Sequence, residues 1–387
     1  MIKTETNESA AIALTKQLVR IDSSDPGAYE TEIGAAISAW FAARGIATVK
    51  DLVLPGRYNL LARIEGEAED PGLVYLCHME TVTLGDGWNE DPLGAVERDG
   101  RIYGRGACDM KSGLACAMSA FAAIAACGRK PKHSFSFIAT VDEEDFMRGV
   151  ERVIQSGWVT KNSWVLDTEP THGQIQVAHK GRTWFELTVN GCTAHASTPW
   201  KGADAIAAIS AMIVKIREWI DSCPKHEDLG FSTVTFGQIE GGYRPYVVPD
   251  HCTVWIDMRL VPPTDTACAS RIVEEAIRYG ETFVPGAHGS YRITGDRPYV
   301  EKHDDSYLLK QLSRVCKKTT AAEAAVTYFP GYTDSAVVAG TLGNRNCMSY
   351  GPGDLELAHK PDESVPCSDI LRCEQVLTAL AKQILFS

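Results

Sequence analysis

Apolar and polar residues follow a regular rhythm along the first half of the chain. Their spacing is helical over residues 8–20 and 31–44, and Gly45 is placed to end the second helix. An alanine-rich run predicts a further helix over 111–128. Short branched and aromatic runs predict strands, namely YNLLARIEG, PGLVYLCH, HSFSFIATV and SWVLDTEP. Because helices and strands alternate, we expect a mostly parallel sheet flanked by helices on both faces.

The rhythm changes over residues 178–297, where the elements read β-α-β-β-α-β, the order of an α+β ferredoxin-like domain. Afterwards the α/β rhythm resumes, with RNCMSYGPG as a strand. The helices predicted in these two parts lie at 202–220, 266–279, 306–318 and 368–385. We therefore predict an α/β domain formed by 1–177 and 298–387, interrupted by an inserted domain over 178–297.

Composition narrows the class of protein. With 387 residues, 44% of them hydrophobic and 23% charged, the chain has the proportions of a soluble globular protein. The start of the chain lacks the layout of a signal peptide and no apolar run is long enough to cross a bilayer, so we expect a cytoplasmic protein without a membrane partner. The net charge of −12 argues against nucleic acid as a partner and leaves a small-molecule substrate. The twelve cysteines form no C-x-x-C pair and predict neither a disulfide scaffold nor a zinc knuckle.

Residues able to bind metal or move protons follow the predicted strands. The carboxyl ends of parallel strands meet at one edge of a sheet, where ligands bind. Each residue alone has a simple structural explanation, such as a helix cap or a hydrogen-bonded strand end. Together they would repel each other unless cations held them, so a metal site explains them best. These residues are His78, Glu80, Asp109, the acidic run 142–145, Asp167, Glu169 and His359.

Imidazole and carboxylate ligands without thiolate suit Zn²⁺, Co²⁺ or Mn²⁺. A carboxylate that bridges two ions ~3.5–4 Å apart is the usual arrangement of two-metal hydrolases. The adjacent Glu143 and Glu144 suit a division of labour in which one binds metal and the other acts as a base.

Seven segments in order carry a resemblance to a known superfamily. From about residue 10 to the end, the chain resembles the zinc-dependent metallohydrolases that include aminoacylase, acetylornithine deacetylase, succinyl-diaminopimelate desuccinylase and glutamate carboxypeptidase. This likeness implies a di-zinc exopeptidase-like fold, with the inserted domain as lid and dimerisation domain. The segments are CHMETV, DPLGAVERDGRIYGRGACDMKSGLA, TVDEEDFMRG, DTEPT, HKGRTWFELTVNGCTAHASTPWKGADAI, GYTDS and GPGDLELAHKPDE.

The resemblance implies a role for each matching residue. The implied metal ligands form two sets that share Asp109, namely His78, Asp109 and Glu169 for one ion and Asp109, Glu144 and His359 for the other. Glu143 would be the general base that takes a proton from metal-bound water and passes it to the leaving nitrogen. Asp167 is an alternative to Glu169, which we prefer because Pro170 and Thr171 set the register of the motif.

The lid and the substrate site are also implied. His195 would stabilise the oxyanion in the active site of a partner subunit, since relatives form homodimers through the inserted domain, alone or within a larger assembly. Arg259, Thr333 and Asp334 stand at positions that meet the substrate carboxylate in relatives.

Two departures from the family pattern affect the expected site. Glu80 replaces an aspartate that accepts a hydrogen bond from the metal-bound imidazole, and its extra methylene requires a shifted loop or a bent side chain. We therefore hypothesise an altered metal affinity. Phe146 and Tyr246 replace a small residue and an asparagine, which suggests an aromatic substrate pocket, although Phe146 fits the core equally well.

The expected function is hydrolysis of an amide-type C–N bond, in an N-acyl amino acid or a peptide-like compound, by metal-bound hydroxide. The first alternative is hydrolysis of an arylamine, amidine or carbamoyl bond on the same scaffold. A catalytically silent binding or assembly module is a second alternative, but every ligand position holds a competent residue. A dinucleotide-binding oxidoreductase is excluded because GRGACD lacks the third glycine of its motif.

Overall fold

A computed structural model describes residues 9–387, so the predicted start of the first helix at residue 8 lies outside the described residues. The chain forms two compact units. The first contains the described residues up to Val177, together with Lys302–Phe329 and Thr333–Ser387. The second contains Ala178–Glu301 and Pro330–Tyr332. A catalytic role for the first unit and a lid role for the second stay predictions.

Helices and strands are labelled in chain order. The α-helices are α1 (Ala10–Val19), α2 (Thr31–Ala42), α3 (Lys111–Ala125), α4 (Arg148–Gln155), α5 (Ala205–Asp221), α6 (Thr266–Phe283), α7 (Tyr307–Thr320), α8 (Asp334–Leu342) and α9 (Cys367–Phe386). The strands are β1 (Ser24–Asp25), β2 (Val49–Leu54), β3 (Arg57–Ile64), β4 (Ala68–His78), β5 (Thr81–Val82), β6 (Val96–Arg98), β7 (Arg101–Tyr103), β8 (His133–Thr140), β9 (Trp164–Asp167), β10 (Ile175–His179), β11 (Gly181–Asn190), β12 (Thr233–Gly241), β13 (His251–Leu260), β14 (His288–Arg297), β15 (Val326–Phe329), β16 (Cys347–Ser349) and β17 (Ser364–Pro366).

The first unit is built on an eight-stranded sheet in the order β15-β10-β16-β9-β4-β8-β3-β2. Its centre, from β16 to β8, is parallel, whereas β3 pairs antiparallel with β8 and β2 antiparallel with β3. The predicted strands and the parallel centre are confirmed. The sequence reading missed β2, because this edge strand is largely exposed and lacks the alternation of a half-buried strand.

Residues of the central strands face two different layers. In β4, Leu73, Tyr75 and Cys77 belong to a core that also contains residues of α1, α2, α3, α7 and α9. The intervening Val74 and Leu76 are equally buried, and α8 packs against β4 and α4 against β8. Because both faces are covered, the strand reads as a continuous apolar run.

The second unit has the β-α-β-β-α-β order that the sequence predicts. Its four strands form an antiparallel sheet in the order β12-β13-β11-β14, and α5 and α6 pack on one face of it. Along β11, buried Phe185, Leu187 and Val189 alternate with partly exposed residues. Among the described residues, no helix is both long enough and apolar enough to span a membrane.

Candidate active site

The parallel strands deliver their terminal residues to one edge of the sheet. His78 is the last residue of β4, and a turn over residues 142–147 follows the end of β8. Glu169 follows β9, Asp109 immediately precedes the N-cap of α3, and His359 lies in the loop between β16 and β17. The chain order therefore brings distant residues to a common edge.

Asp109 lies between the two histidines. Its Oδ1 is 3.1 Å from His78 Nε2, and its Oδ2 is 3.5 Å from His359 Nε2. His359 Nε2 is also 3.0 Å from Glu144 Oε1, and His78 Nε2 is 3.8 Å from Glu169 Oε1. The structure thus brings together all five predicted ligands, with one carboxylate oxygen directed at each imidazole.

Glu143 belongs to the same cluster. Single ligand atoms of His78, Glu143 and Glu169 lie within 4.8 Å of one another, and so do those of His78, Asp109 and Glu144. Glu143 is therefore close enough to contact a water molecule or an ion bound between these groups. Its distance alone does not decide whether it acts as a general base or as a metal ligand.

The electrostatics of the cluster are those of a cation site. Burial, reinforced by neighbouring carboxylates, raises the pKa of Glu143 and of Glu169 well above the usual range. Burial by itself would lower the pKa of His78, but the bond to Asp109 and the surrounding carboxylates raise it. Hydrogen bonds to Asp109 and Glu144 raise the pKa of His359 to about 10. Glu143 and Glu169 thus ionise poorly without positive charge beside them. For Asp109, in contrast, burial raises the pKa but the bonds to His359 and His78 lower it further, below the usual range. Because positive charge favours the ionised carboxylates, this donor set fits divalent cations.

The sequence left open whether the Glu80 carboxylate still accepts a hydrogen bond from His78, and in the structure a backbone oxygen takes that place. His78 Nδ1 lies 2.9 Å from the backbone carbonyl oxygen of Glu80, which fixes the proton on Nδ1 and leaves Nε2 free to bind metal. The carboxylate instead accepts the backbone N–H groups of Glu143 and, at 3.2 Å, Glu144. The longer side chain of Glu80 therefore supports the turn that carries both glutamates.

A second set of contacts holds this turn from the other side. Asp142 has a φ of +69°, and its carbonyl oxygen accepts the Met147 N–H at 2.6 Å. Its carboxylate accepts the Arg148 Nε–H at 2.7 Å, and the Asp142 N–H donates to Glu30 Oε1 at 3.3 Å. Arg57 donates from Nε to Glu30 at 2.7 Å, which links the turn to β3. No sequence motif marks Glu30 and Arg57, because their pairing depends on the tertiary fold.

We expect Glu80→Ala to lower kcat roughly 10–100-fold without loss of metal, because misplaced catalytic groups cost about that much while His78 keeps its backbone partner. Glu80→Gln keeps an oxygen that accepts both N–H groups and should lose less. Steady-state kinetics and metal analysis of the two variants test this. A parallel loss of metal would restore the original hypothesis that Glu80 tunes metal affinity.

Asp167 does not belong to the cluster. It is buried, and its Oδ2 accepts the Ser335 N–H at 3.2 Å. It therefore stabilises the start of α8, and Glu169 is the residue that faces His78.

The structure does not support substrate contacts for Thr333 and Asp334. Thr333 is fully buried and caps α8, accepting the Ala336 N–H at 3.3 Å. Asp334 is 2% exposed and accepts the Thr140 hydroxyl at 2.6 Å. Both side chains are thus withdrawn from solvent and engaged within the fold.

His195 and Arg259 lie in the second unit, and their roles at the cluster stay predictions. His195 is exposed, and its Nδ1 accepts the Ser197 N–H at 3.2 Å, so the neutral ring carries its proton on Nε2. Arg259 is paired with Asp257 through two bonds of 2.8 and 3.0 Å. A substrate carboxylate would have to compete with this pair.

The two aromatic departures are exposed. Phe146 is 48% exposed, with the Arg148 guanidinium 4.8 Å from its ring centre, so the alternative that it belongs to the core is wrong. Tyr246, in the second unit, is 61% exposed. Each ring therefore lies at the surface of its own unit.

Comparison with known proteins agrees with this geometry. The model of the Peptidase family M20/M25/M40 matches residues 74–383. The chain belongs to this family. An M20 protein is a metallohydrolase, and this chain is therefore a hydrolase of amide-type bonds.

Individual relatives are similar over almost their whole length. The chain is 28% identical to an acetylornithine deacetylase of Myxococcus xanthus over 328 residues, covering 83% of this chain and 82% of the relative. The solved structure of aminopeptidase PepT from Bacillus cereus covers 98% of this chain and 99% of its own, with a TM-score of 0.80 and 21% identity. A dinuclear metal-binding M20 peptidase from Bacillus subtilis covers 97% of both chains, with a TM-score of 0.72 and 16% identity. The two structures show that the fold they share extends over nearly all of this chain.

Proposed function

We propose that this M20 hydrolase uses two divalent ions to cleave the amide bond of an N-acyl amino acid or a small peptide-like compound. The position of Asp109 carries the proposal, because each carboxylate oxygen faces a different histidine. Each histidine has a further carboxylate beside it, Glu169 for His78 and Glu144 for His359. These residues would supply two ion sites that share one bridging carboxylate.

Zinc is the first choice for both ions, with cobalt or manganese as alternatives, because the ligands are imidazole and carboxylate. Bound ions of this kind lower the pKa of a water molecule toward ~7 and polarise a carbonyl group. His78, Asp109 and Glu169 would hold one ion, and Asp109, Glu144 and His359 the other.

Glu143 is the residue that we assign to proton transfer. Its carboxylate lies in the cluster beside His78 and Glu169, and the Glu80 carboxylate holds its backbone N–H. A carboxylate fixed there can accept a proton from water on one side and donate it to the departing nitrogen. Glu144 has the same backbone anchor but points at His359, which is why the adjacent glutamates take different roles.

His195 is proposed as a donor to the developing oxyanion. Because Ser197 occupies its Nδ1, the Nε2–H is free to donate. Its delivery to the active site of a partner subunit, and the homodimer that this requires, rest on the family resemblance. The cytoplasmic location likewise stays a prediction.

The substrate is proposed from chemistry and from the relatives. The Myxococcus xanthus relative is a deacetylase of an N-acyl amino acid, which favours this class. A second candidate is an aryl-amine bond, favoured by the exposed ring of Phe146 in the turn that carries Glu143 and Glu144. A catalytically silent binding module is disfavoured because all five proposed ligands and Glu143 are present in the cluster.

Activity of the metal-reconstituted protein on a panel of substrates tests the proposal. The panel contains N-acyl amino acids, dipeptides and N-acyl arylamines, with Glu143→Ala as the inactive control. Turnover of the first two classes alone supports deacylation, and turnover of the arylamines supports the second candidate. Undiminished turnover by Glu143→Ala would contradict the mechanism.

Removal of metal by a chelator should abolish this activity, because no cation is then present to bind and activate the water molecule. Addition of Zn²⁺, Co²⁺ or Mn²⁺ should restore it, with two ions per chain at saturation. Activity and metal content are measured together during the titration. Full activity of the metal-free chain would exclude a two-metal mechanism.

A further inference from the structure

A buried ion pair, Arg105–Glu363, lies behind the candidate metal site. The two side chains are 3% and 1% exposed, and Arg105 donates to Glu363 Oε2 at 2.7 Å. Neither residue belongs to the predicted ligands, yet each contacts the backbone of segments that carry them.

Glu363 holds the backbone of the bridging residue. Its Oε1 accepts the N–H groups of Cys108 at 2.9 Å and of Asp109 at 3.0 Å. The two oxygens of Glu363 are thus divided between the Asp109 segment and Arg105. This fixes the peptide from which the Asp109 side chain projects.

Arg105 holds the other side of the site. Its NH2 group lies 3.5 Å from the carbonyl oxygen of His359, and its NH1 group lies 3.4 Å from that of Lys360. It also donates to the carbonyl oxygens of Thr83 at 3.1 Å and Leu84 at 3.0 Å, in the segment after β5. One guanidinium therefore joins the His359 loop to the segment that follows Glu80.

His359 is less constrained by burial than His78. Its side chain is 48% exposed and its φ is +64°, a conformation that residues other than glycine rarely adopt unless their surroundings impose it. His78, in contrast, is fixed by the buried end of β4 and by its own hydrogen bond to Glu80. The two histidines are therefore held by different means.

We propose that Arg105 and Glu363 are positioning residues that set the separation of Asp109 and His359, and hence the affinity for the ion these two share. The inference rests on the proposed two-metal function. Removal of one partner leaves the other charge buried and uncompensated, so both backbone segments should shift. The ion assigned to His78, Asp109 and Glu169 should be affected less, because the pair holds the backbone of only one of these ligands, whereas at the other ion it holds both Asp109 and His359.

Metal titration of the full-length protein tests this without reference to activity. Metal-free wild type, Glu363→Gln and Arg105→Lys are titrated with Co²⁺ by calorimetry and followed by absorption. Glu363→Gln keeps the shape of the side chain and one acceptor oxygen. Arg105→Lys keeps the positive charge but loses the guanidinium group that donates to several oxygens at once. We expect one of two binding steps to lose roughly 10–100-fold in affinity, as for other residues that orient metal ligands, with the other step changed less.

Asp51→Asn is a control for the loss of an arginine–carboxylate pair, although this pair is more exposed than Arg105–Glu363. It breaks another arginine–carboxylate pair, in which Arg152 donates to both oxygens of Asp51 at 2.9 and 2.8 Å, away from the cluster. This control should lower the melting temperature without changing either binding step.

If Glu363→Gln and Arg105→Lys behave like the control, the pair is merely structural and the inference is wrong. If wild type binds no Co²⁺, the proposed two-metal function itself fails. Should Glu363→Gln not fold, unchanged binding by Arg105→Lys would still overturn the inference.

Discussion

Replacement of Glu143 by glutamine is expected to lower kcat by about 10²–10⁴-fold, which is the contribution typical of a positioned general base. The amide keeps the size of the side chain but cannot accept a proton. Because the proposed ligands remain intact, two ions should still bind. The measurements are steady-state kinetics and metal content of the same preparation.

The neighbouring Glu144 provides the matched comparison. Glu144→Gln should lose the ion that Glu144 shares with His359, because its carboxylate is 3.0 Å from that histidine. Asp145→Asn, at an exposed position of the same turn, should change neither property. If Glu143→Gln instead loses metal, Glu143 is a ligand, which its place beside His78 and Glu169 also allows.

Replacement of Asp109 by asparagine is expected to have the largest effect on metal binding. Asp109 offers one oxygen to each histidine, so its loss removes a ligand from both ions. Without cations the mutual repulsion of the remaining carboxylates is no longer balanced. We expect loss of both high-affinity binding steps and, with them, loss of at least about 10³-fold in kcat/KM, since the ions supply several kcal/mol of transition-state stabilisation.

Asp167→Asn separates a metal effect from the effect of changing any buried carboxylate at this edge. Asp167 accepts the Ser335 N–H and lies at the end of β9, next to the segment that carries Glu169. The variant should bind two ions, although its stability falls. Loss of one ion in Asp167→Asn would show that Asp167, and not Glu169, is the ligand. Retention of both ions by Asp109→Asn would contradict the bridging role.

The separation of neighbouring residues into different roles was only partly accessible from the sequence. The resemblance assigned Glu143 and Glu144 to base and ligand, and the structure shows why both roles are possible, since one turn directs them to different partners. For Glu80 the sequence left open whether the carboxylate still reaches the imidazole, and in the structure the longer side chain binds the backbone of the turn instead. The length of the Glu80 side chain and its position in the motif do not reveal which of two nearby oxygen atoms accepts the hydrogen bond from His78.

For other residues the sequence did not reveal the contacts that the side chains make. Thr333 and Asp334 match a family segment, but burial in the first turn of α8 withdraws both from solvent. Arg105 and Glu363 also lie within matched segments, yet nothing in those segments shows that they pair across 258 positions. Their contact depends on how the loops before α3 and β17 meet in space.

The sequence alone determined the periodic elements, the interrupted α/β plan and the types of residue at the strand ends, because hydrophobic spacing and family motifs are local properties of the chain. Tertiary structure decided which oxygen faces which nitrogen. Glu144 and His359 are 215 positions apart and meet at 3.0 Å. Such a distance depends on the packing of whole strands and loops. A difference of about an ångström decides whether a side chain can bind the metal or only hold a neighbouring ligand in place.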